Sequence, residues 1–164
     1  MSGMFDKESF MQKWCNKAHE VFTDWSSLIY KGKQVFFENE FVCRCAQKHI
    51  KARISTLLML MLFEARKYAD VPFKIMSGCR CEAHNRDMGG KPLSDHLDGQ
   101  ISLENGKKVD MITVGVDVSI ANNRFKIIQA LMAVGFNRFV FYRNKNIVHV
   151  GLDTRNPSEQ FIIE

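Results

Sequence analysis

Apolar residues recur with a helical period through the first thirty positions of the chain. Between Asp6 and Tyr30 they fall three or four residues apart, with polar residues between them. The apolar positions are Phe10, Met11, Trp14, Ala18, Val21, Phe22, Trp25, Leu28 and Ile29. Gly32 follows, and glycine disfavours continuation of a helix. The pattern predicts an amphipathic helix over about residues 6–30, packed on the core.

A second apolar segment predicts the central helix of the core, from Gln47 to Tyr68. Its apolar face comprises Ile50, Ile54, Leu57, Leu58, Met61, Leu62 and Ala65. Met59, Leu60 and Phe63 fill much of the remaining surface, so we expect this helix to be largely buried. Pro72 marks its far limit, because proline removes a helical hydrogen bond.

The second half of the chain alternates between strand and helix patterns. FKIMS at 73–77 predicts a strand, and residues 123–134 predict a helix with Asn122 as N-cap and Gly135 as its stop. Further strands are predicted at 138–142, 146–150 and 160–163. Strands interrupted by helices and joined by tight turns indicate an α+β fold with a mainly antiparallel sheet packed against helices.

Length and composition fit one domain. The 164 residues are 46% hydrophobic, which is ordinary for a globular chain with a substantial core. We divide the chain into a helical extension, residues 1–36, and a main domain, residues 37–164. The apolar run at 57–63 is too short to span a membrane. Charges in the first fourteen residues predict synthesis in the cytoplasm without a signal peptide.

A net charge of +5 and a pI near 9.0 favour anionic partners. Nucleic acid, teichoic acid and the carboxylate-bearing peptides of a cell wall all fit this charge. The lysines and arginines are spread along the chain, and we find neither a glycine-rich phosphate loop nor an RNA-binding aromatic motif. Nucleic acid is therefore the weaker expectation.

Three polar residues stand in positions that call for a partner. His96 lies in the turn-forming segment SDHLDG, Asp117 interrupts the apolar strand TVGVDVSI, and His149 interrupts NIVHVGL. A carboxylate buried in a strand is costly unless it is paired or bound to metal. Two histidines and one aspartate are a ligand set for catalytic zinc, which keeps a fourth position open. A buried polar network without metal is the alternative.

The segment between His96 and Asp117 has the pattern of a β-hairpin. The Asn-Gly pair at 105–106 is a preferred two-residue turn, which places Glu104 opposite Lys107. Continued along both strands, this register places His96 opposite Gly115.

The same register chooses between two candidate aspartates. Asp117 lies two residues beyond Gly115 and so shares the face of His96. Asp110 would lie opposite Ile101, roughly 17 Å from His96 at about 3.3 Å per residue. The hairpin therefore favours Asp117 over Asp110 as the metal ligand.

From Phe37 to Asp153 the chain resembles the LAS-type zinc peptidases, which cleave peptidoglycan and include D-Ala-D-Ala carboxypeptidases, L-alanyl-D-glutamate endopeptidases and many bacteriophage lysins. The matching blocks are FENEFVCRC, ISTLLMLMLFEARKYADVPFKIMSGCRCEAHNRDMGGKPLSDHLDG, GVDVSI, VGFNRFVFY and IVHVGLD. The resemblance implies a small α+β domain carrying zinc. It implies peptidoglycan peptides as substrate, virion or lysis proteins as further partners, and action at the bacterial wall after release or within a virion.

The resemblance also implies roles for particular residues. It assigns the metal ligands to His96, Asp117 and His149, and Ser94 of the S-x-H-x-x-G block to positioning of the substrate or of a ligand loop. Arg80 matches the arginine of the S-G-x-R block, where a fixed guanidinium near the scissile carbonyl would stabilise an oxyanion. An ordinary salt bridge is the alternative for Arg80.

The chain departs from the family pattern at the general base. Family members place a glutamate three residues, or a histidine two residues, before the last histidine, whereas this chain has Asn146 and Ile147. Asp153 and Asp98 are the nearby carboxylates that would take over proton transfer. The departure also supports an alternative function, a zinc-binding but catalytically silent wall-binding or virion-structural module.

Five cysteines form two Cys-x-Cys pairs that flank the central helix, together with Cys15. A second, structural zinc, one or two disulfides, and free thiols are the alternatives. A cytoplasmic product favours reduced thiols. Proximity of Cys43 or Cys45 to Cys79 or Cys81 would fasten the start of the helix to the Arg80 loop. We expect Cys15 to be buried on the first helix.

Overall fold

The structure is a computed structural model that describes residues 5–152 and the backbone of residues 160–163. The helices are α1 (Lys7–Trp14), α2 (Thr56–Ala69), α3 (Glu82–Asp87) and α4 (Arg124–Ala133). The strands are β1 (Ile29–Tyr30), β2 (Lys33–Gln34), β3 (Ile75–Ser77), β4 (Gly99–Ser102), β5 (Lys108–Met111), β6 (Gly115–Ser119), β7 (Arg138–Phe141), β8 (Ile147–Gly151) and β9 (Gln160–Ile163). Within the described part of the chain, no helix is long and apolar enough to cross a membrane.

The predicted N-terminal helix is correct only as far as Trp14. Asp6 caps α1 by accepting the Ser9 N–H, and beyond α1 the chain continues through short 3-10 turns at 15–17 and 25–27. The Phe22 N–H donates to a carbonyl of another segment rather than to its own helix. The apolar residues of 18–28 reach the core from irregular backbone, so tertiary packing has overridden the periodic pattern. Cys15, predicted to be buried, is exposed.

Helix α2 starts later than predicted, at Thr56 rather than Gln47. Ser55 caps it, because its side chain accepts the Leu58 N–H at 3.4 Å. Ile50, placed by the periodicity on the apolar face, precedes the helix and is 84% exposed. The expectation that this helix is largely buried is confirmed by Leu57, Leu58, Met59, Met61, Leu62, Ala65 and Ala69.

The main sheet has five strands in the order β3-β6-β8-β7-β9. Its pairs are antiparallel except β7 with β9, which is parallel. One buried cluster joins side chains of α2, α4 and the central strands, including Leu58, Leu131, Val116, Phe139 and Val148. The predicted α+β domain with a mainly antiparallel sheet is confirmed, because the alternating strands bury one face against the helices.

The predicted hairpin forms from β4 and β5, but its register is wrong by one residue. Gly99 pairs with Met111, and Asp110 lies opposite Gln100 rather than Ile101. The loop between the strands has three residues, because Gly106 adopts a left-handed φ of 76° after a turn in which its N–H bonds to the Leu103 carbonyl. A left-handed third residue is the usual way such loops close.

Candidate metal centre

Alternation along β6 and β8 brings Asp117 and His149 to one face of the sheet. The valines that flank each of them are buried in the hydrophobic core: Val116, Val118, Val148 and Val150. The two polar residues project from the opposite side and pair directly in the β6–β8 register. The two-residue period that buries the valines therefore aligns the aspartate with the histidine.

Backbone hydrogen bonds outside the hairpin bring His96 to the same place. The Asp95 carbonyl accepts the N–H groups of Val114 and Gly115 at 2.8 and 3.2 Å. The predicted pairing of His96 with Gly115 is therefore wrong by one residue. The His96 carbonyl accepts the Arg80 N–H at 2.7 Å, so this segment lies between β6 and the loop that carries Arg80.

The three predicted ligands converge on one point. His96 Nε2 lies 3.2 Å from Asp117 Oδ1, His149 Nδ1 lies 2.9 Å from the same oxygen, and the two nitrogens are 3.1 Å apart. All three side chains are buried. Ligands about 2.0–2.1 Å from zinc in a tetrahedral shell are about 3.3 Å from one another. The atoms could therefore hold zinc after separating by a few tenths of an ångström.

The outer nitrogen of each imidazole has an acceptor. His96 Nδ1 donates to the Gly78 carbonyl at 2.7 Å, and His149 Nε2 donates to Asp95 Oδ2 at 3.1 Å. With the outer nitrogens protonated, the other ring nitrogens, His96 Nε2 and His149 Nδ1, each carry a lone pair. Both lone pairs face the Asp117 carboxylate. Such an arrangement requires a cation between them, either a metal ion or a proton on His149. Fixed outer nitrogens are the usual support of histidine ligands to zinc.

The electrostatics of the centre follow from burial and these contacts. Burial by itself would raise the pKa of Asp117, but hydrogen bonds with His149 and His96 outweigh it and hold that pKa well below its usual value. Burial lowers the pKa of His96. Burial would also lower the pKa of His149, but Asp117 and Asp95 on either side raise it. The aspartate is therefore an anion that can serve as a ligand.

Asp95 and Arg138 belong to the centre, and neither was predicted from the sequence. The Asp95 carboxylate, 1% exposed, accepts from Arg138 Nε at 3.2 Å as well as from His149. A Cβ on Gly115 would lie 2.6 Å from Asp95 Cβ, and one on Gly151 would lie 2.7 Å from Asp95 Oδ2. Glycines at facing ends of β6 and β8 were the available sequence sign that another side chain approaches here.

Arg80 contacts the second oxygen of Asp117. Its Nη2 donates to Asp117 Oδ2 at 2.9 Å, and its Nε donates to Ser77 Oγ at 3.0 Å. The salt bridge considered for Arg80 therefore forms, with a residue of the centre itself. Ser94 Oγ accepts the His96 N–H at 3.3 Å. The two residues hold the aspartate and one histidine in place.

Of the two proposed general bases, only Asp98 belongs to the described residues, and it does not lie at the centre. Asp98 pairs with Arg53 at 3.4 Å and is absent from the described residues that line the cavities at the centre, although burial raises its pKa to about 6. Asp153 lies outside the described residues. Asn146, at the position of the family's base, is exposed and accepts from Arg124 Nη2 at 2.6 Å.

Two adjoining cavities flank the centre. One, of about 170 Å³, contacts His96 and His149, and the other, of about 310 Å³, contacts Asp117. They share Arg80, Met88 and Tyr142. Further cationic side chains line them, namely Lys91 and Arg138 in the first and Arg44 and Lys145 in the second. The positive lining suits a ligand that carries carboxylates.

Comparison with known proteins gave one result. The model of a protein family described as Peptidase M15 matches residues 34–151. Neither the curated proteins nor the solved structures gave a match. The matched range covers most of the chain and includes every residue of the centre described above.

Proposed function

Because the chain belongs to the peptidase M15 family, whose members are zinc peptidases, we propose that it hydrolyses a peptide bond in the stem peptides of bacterial peptidoglycan. The proposal covers a carboxypeptidase or an endopeptidase, acting at the wall after release from the cell in which it is made. The observation that carries it is the convergence of His96 Nε2, Asp117 Oδ1 and His149 Nδ1 on one point. We assign zinc to these three residues.

The donor set fits zinc and leaves room for a substrate. Two imidazole nitrogens and one carboxylate oxygen make three protein ligands, the usual number in a catalytic zinc site. Zinc, when bound there, supplies a Lewis acid for the scissile carbonyl. The cavities on either side of the ligands provide the space in which a peptide would lie.

The cationic lining supports the substrate class. Stem peptides carry free carboxylates, and a guanidinium binds a carboxylate through two parallel hydrogen bonds. We propose that Arg80 orients the scissile carbonyl and stabilises the charge that develops on its oxygen, as its position beside Asp117 allows. Ser94 orients the His96 segment, and Asp153 remains the proposed residue for proton transfer.

The direct test is hydrolysis of purified cell-wall sacculi, followed by mass spectrometry of released peptides. We expect products from the untreated protein, none after removal of zinc with a chelator, and recovery when zinc is restored. Asn146→Ala is a matched control, because that exposed side chain contacts Arg124 away from the cavities, and we expect its rate to stay within about twofold. Zinc-loaded, folded protein that releases nothing from any wall preparation would refute the proposal.

A second expected result concerns Asp95, which accepts a hydrogen bond from the outer nitrogen of His149, Nε2. Asp95→Asn keeps the shape of the side chain but removes the charge that faces His149 and Arg138. Outer partners of ligand histidines contribute about 10–100-fold to metal affinity, and we expect zinc to bind this centre weaker by that factor. Competition with a chromogenic chelator measures it. Asp110→Asn on the exposed hairpin is the control, and equal affinities in the two variants would contradict the role.

A catalytically silent module that binds walls or builds a virion is the second candidate. Its support is the position three residues before His149, where Asn146 is exposed and bonded to Arg124 instead of facing the centre. Co-sedimentation with sacculi separates the two functions. Zinc-dependent binding without released peptides favours the module, whereas released peptides favour the peptidase.

A further inference from the structure

A second group of metal-ligating side chains lies apart from the His96 centre. Cys43, Cys45 and His49 come from the loop before α2, and Cys81 is the N-cap residue of α3. One ligand atom from each of the four lies within 4.8 Å of the others. We propose that these residues bind a structural zinc ion, distinct from the ion of the peptidase centre.

The sulfur positions fit a tetrahedral zinc site. Cys45 Sγ and Cys81 Sγ are 3.8 Å apart, and sulfurs at about 2.3 Å from a tetrahedral zinc are about 3.8 Å from each other. All the cysteines of the group are free thiols in the structure. Zn²⁺ would displace their protons to solvent, and three thiolates with one imidazole complete a closed shell. A closed shell has no position for substrate, so the site is structural.

Hydrogen-bond donors lie next to the cysteine sulfurs, as they do around thiolates that are bound to a metal. The Cys81 N–H donates to Cys43 Sγ at 3.3 Å, and the His84 N–H approaches Cys81 Sγ at 3.5 Å. His84 Nδ1 lies 3.2 Å from Cys43 Sγ. Backbone and imidazole donors of this kind offset the negative charge of a zinc–thiolate site. His49, and not His84, belongs to the four side chains whose ligand atoms all lie within 4.8 Å of one another. We therefore assign His49 as the fourth ligand and His84 as a hydrogen-bond partner of Cys43.

The fourth cysteine of this region, Cys79, does not belong to the group. Cys79 belongs to the hydrophobic core and is 2% exposed, whereas Cys81, two residues on, faces the loop before α2. Burial raises the pKa of the Cys79 thiol to about 12, as expected for a side chain that packs as a small hydrophobe. Arg80 stands between the two cysteines.

The proposed ion would hold the segments that line the second cavity. Residues 42–53 form neither helix nor strand in the described structure, and most side chains of 46–51 are exposed, so hydrophobic burial contributes little to fixing them. Within this loop Arg44 donates to the carbonyls of Ile75 and Met76 at 3.2 and 3.1 Å. A zinc bridge from Cys43 and Cys45 to Cys81 would fix Arg44 and Arg80 relative to each other.

Cobalt substitution tests the site without reference to catalysis. Co²⁺ bound by thiolates gives a charge-transfer band in the near ultraviolet, and the His96 centre contains no sulfur, so the band reports this site alone. We expect the full-length, reduced protein to show the band, Cys45→Ser and Cys81→Ser to lose most of it, and Cys15→Ser to keep it. No band in the unaltered protein, or equal bands in all three variants, would overturn the proposal.

Alkylation of the unaltered protein provides a test that does not depend on how the variants fold. We expect Cys43, Cys45 and Cys81 to be protected from alkylation in zinc-loaded protein and to react after chelation, while exposed Cys15 reacts in both states. His49→Ala should reduce zinc retention during dialysis, whereas His19→Ala should not. Protection that persists after chelation because Cys45 and Cys81 form a disulfide would overturn the zinc assignment.

Discussion

Peptidoglycan hydrolysis by His149→Ala is expected to fall to the background level of heat-inactivated protein. The substitution removes the imidazole whose Nδ1 lies 2.9 Å from Asp117 Oδ1 and 3.1 Å from His96 Nε2, so only two of the three inward ligand atoms remain. Catalytic zinc sites use three protein ligands, so we expect the remaining two to lose the ion. The measurements are peptide release from sacculi and zinc content by elemental analysis.

The cysteine site provides an internal control for this variant. His149→Ala should lose the zinc of the His96 centre and keep the thiolate-to-cobalt band, because none of the thiolates contacts His149. The variant also removes one buried hydrogen bond from Asp95 and one from Asp117, although Arg138 still donates to Asp95 and Arg80 still donates to Asp117. A lost buried hydrogen bond costs about 1–3 kcal/mol. Denaturant unfolding must therefore show that the variant is still folded at assay temperature. Full activity with zinc absent from the centre would refute the metal role.

Helices and strands could be predicted from the sequence where a single periodicity explains which of their residues are buried. Strands β6 and β8 alternate strictly between valine and another residue, so their positions and the polar interruptions at Asp117 and His149 were visible in the sequence. The end of the N-terminal helix at Trp14 could not be predicted, because apolar residues three or four apart fit both a helix and irregular backbone. The irregular backbone is held by hydrogen bonds to other segments, such as the bond from the Phe22 N–H to the Ile54 carbonyl.

Local turn geometry limited the prediction of the hairpin and of the approach of His96. The Asn-Gly pair predicted a two-residue loop, but a left-handed Gly106 after a standard turn gives three residues and shifts every pair by one. Asp95 lies in a polar turn segment where an aspartate needs no special explanation. Its burial arises from the bonds of its carbonyl with Val114 and Gly115, which no local pattern encodes.

Arg80→Lys is expected to lower kcat by about 10²–10³-fold, the usual loss when one oxyanion-stabilising donor is removed, with a smaller change in KM. The Arg80 guanidinium contacts Ser77 Oγ and Asp117 Oδ2 through two different nitrogens. A lysine ammonium has one nitrogen and cannot make both contacts in the same geometry. Steady-state kinetics on a defined stem peptide, at saturating zinc, measures both parameters. Arg86→Lys, an exposed change on α3, is the matched control.

Zinc affinity separates the two roles that the contact with Asp117 allows for Arg80. If the guanidinium only steadies the Asp117 carboxylate, Arg80→Lys weakens zinc binding, and excess zinc restores the lost rate. If it stabilises charge on the substrate, the variant binds zinc nearly as tightly and stays slow at every zinc concentration. We expect the second result, because Ser94, Asp95 and Gly78 hold the two histidines independently of Arg80. Full rescue by zinc would reduce Arg80 to a positioning residue of the metal site.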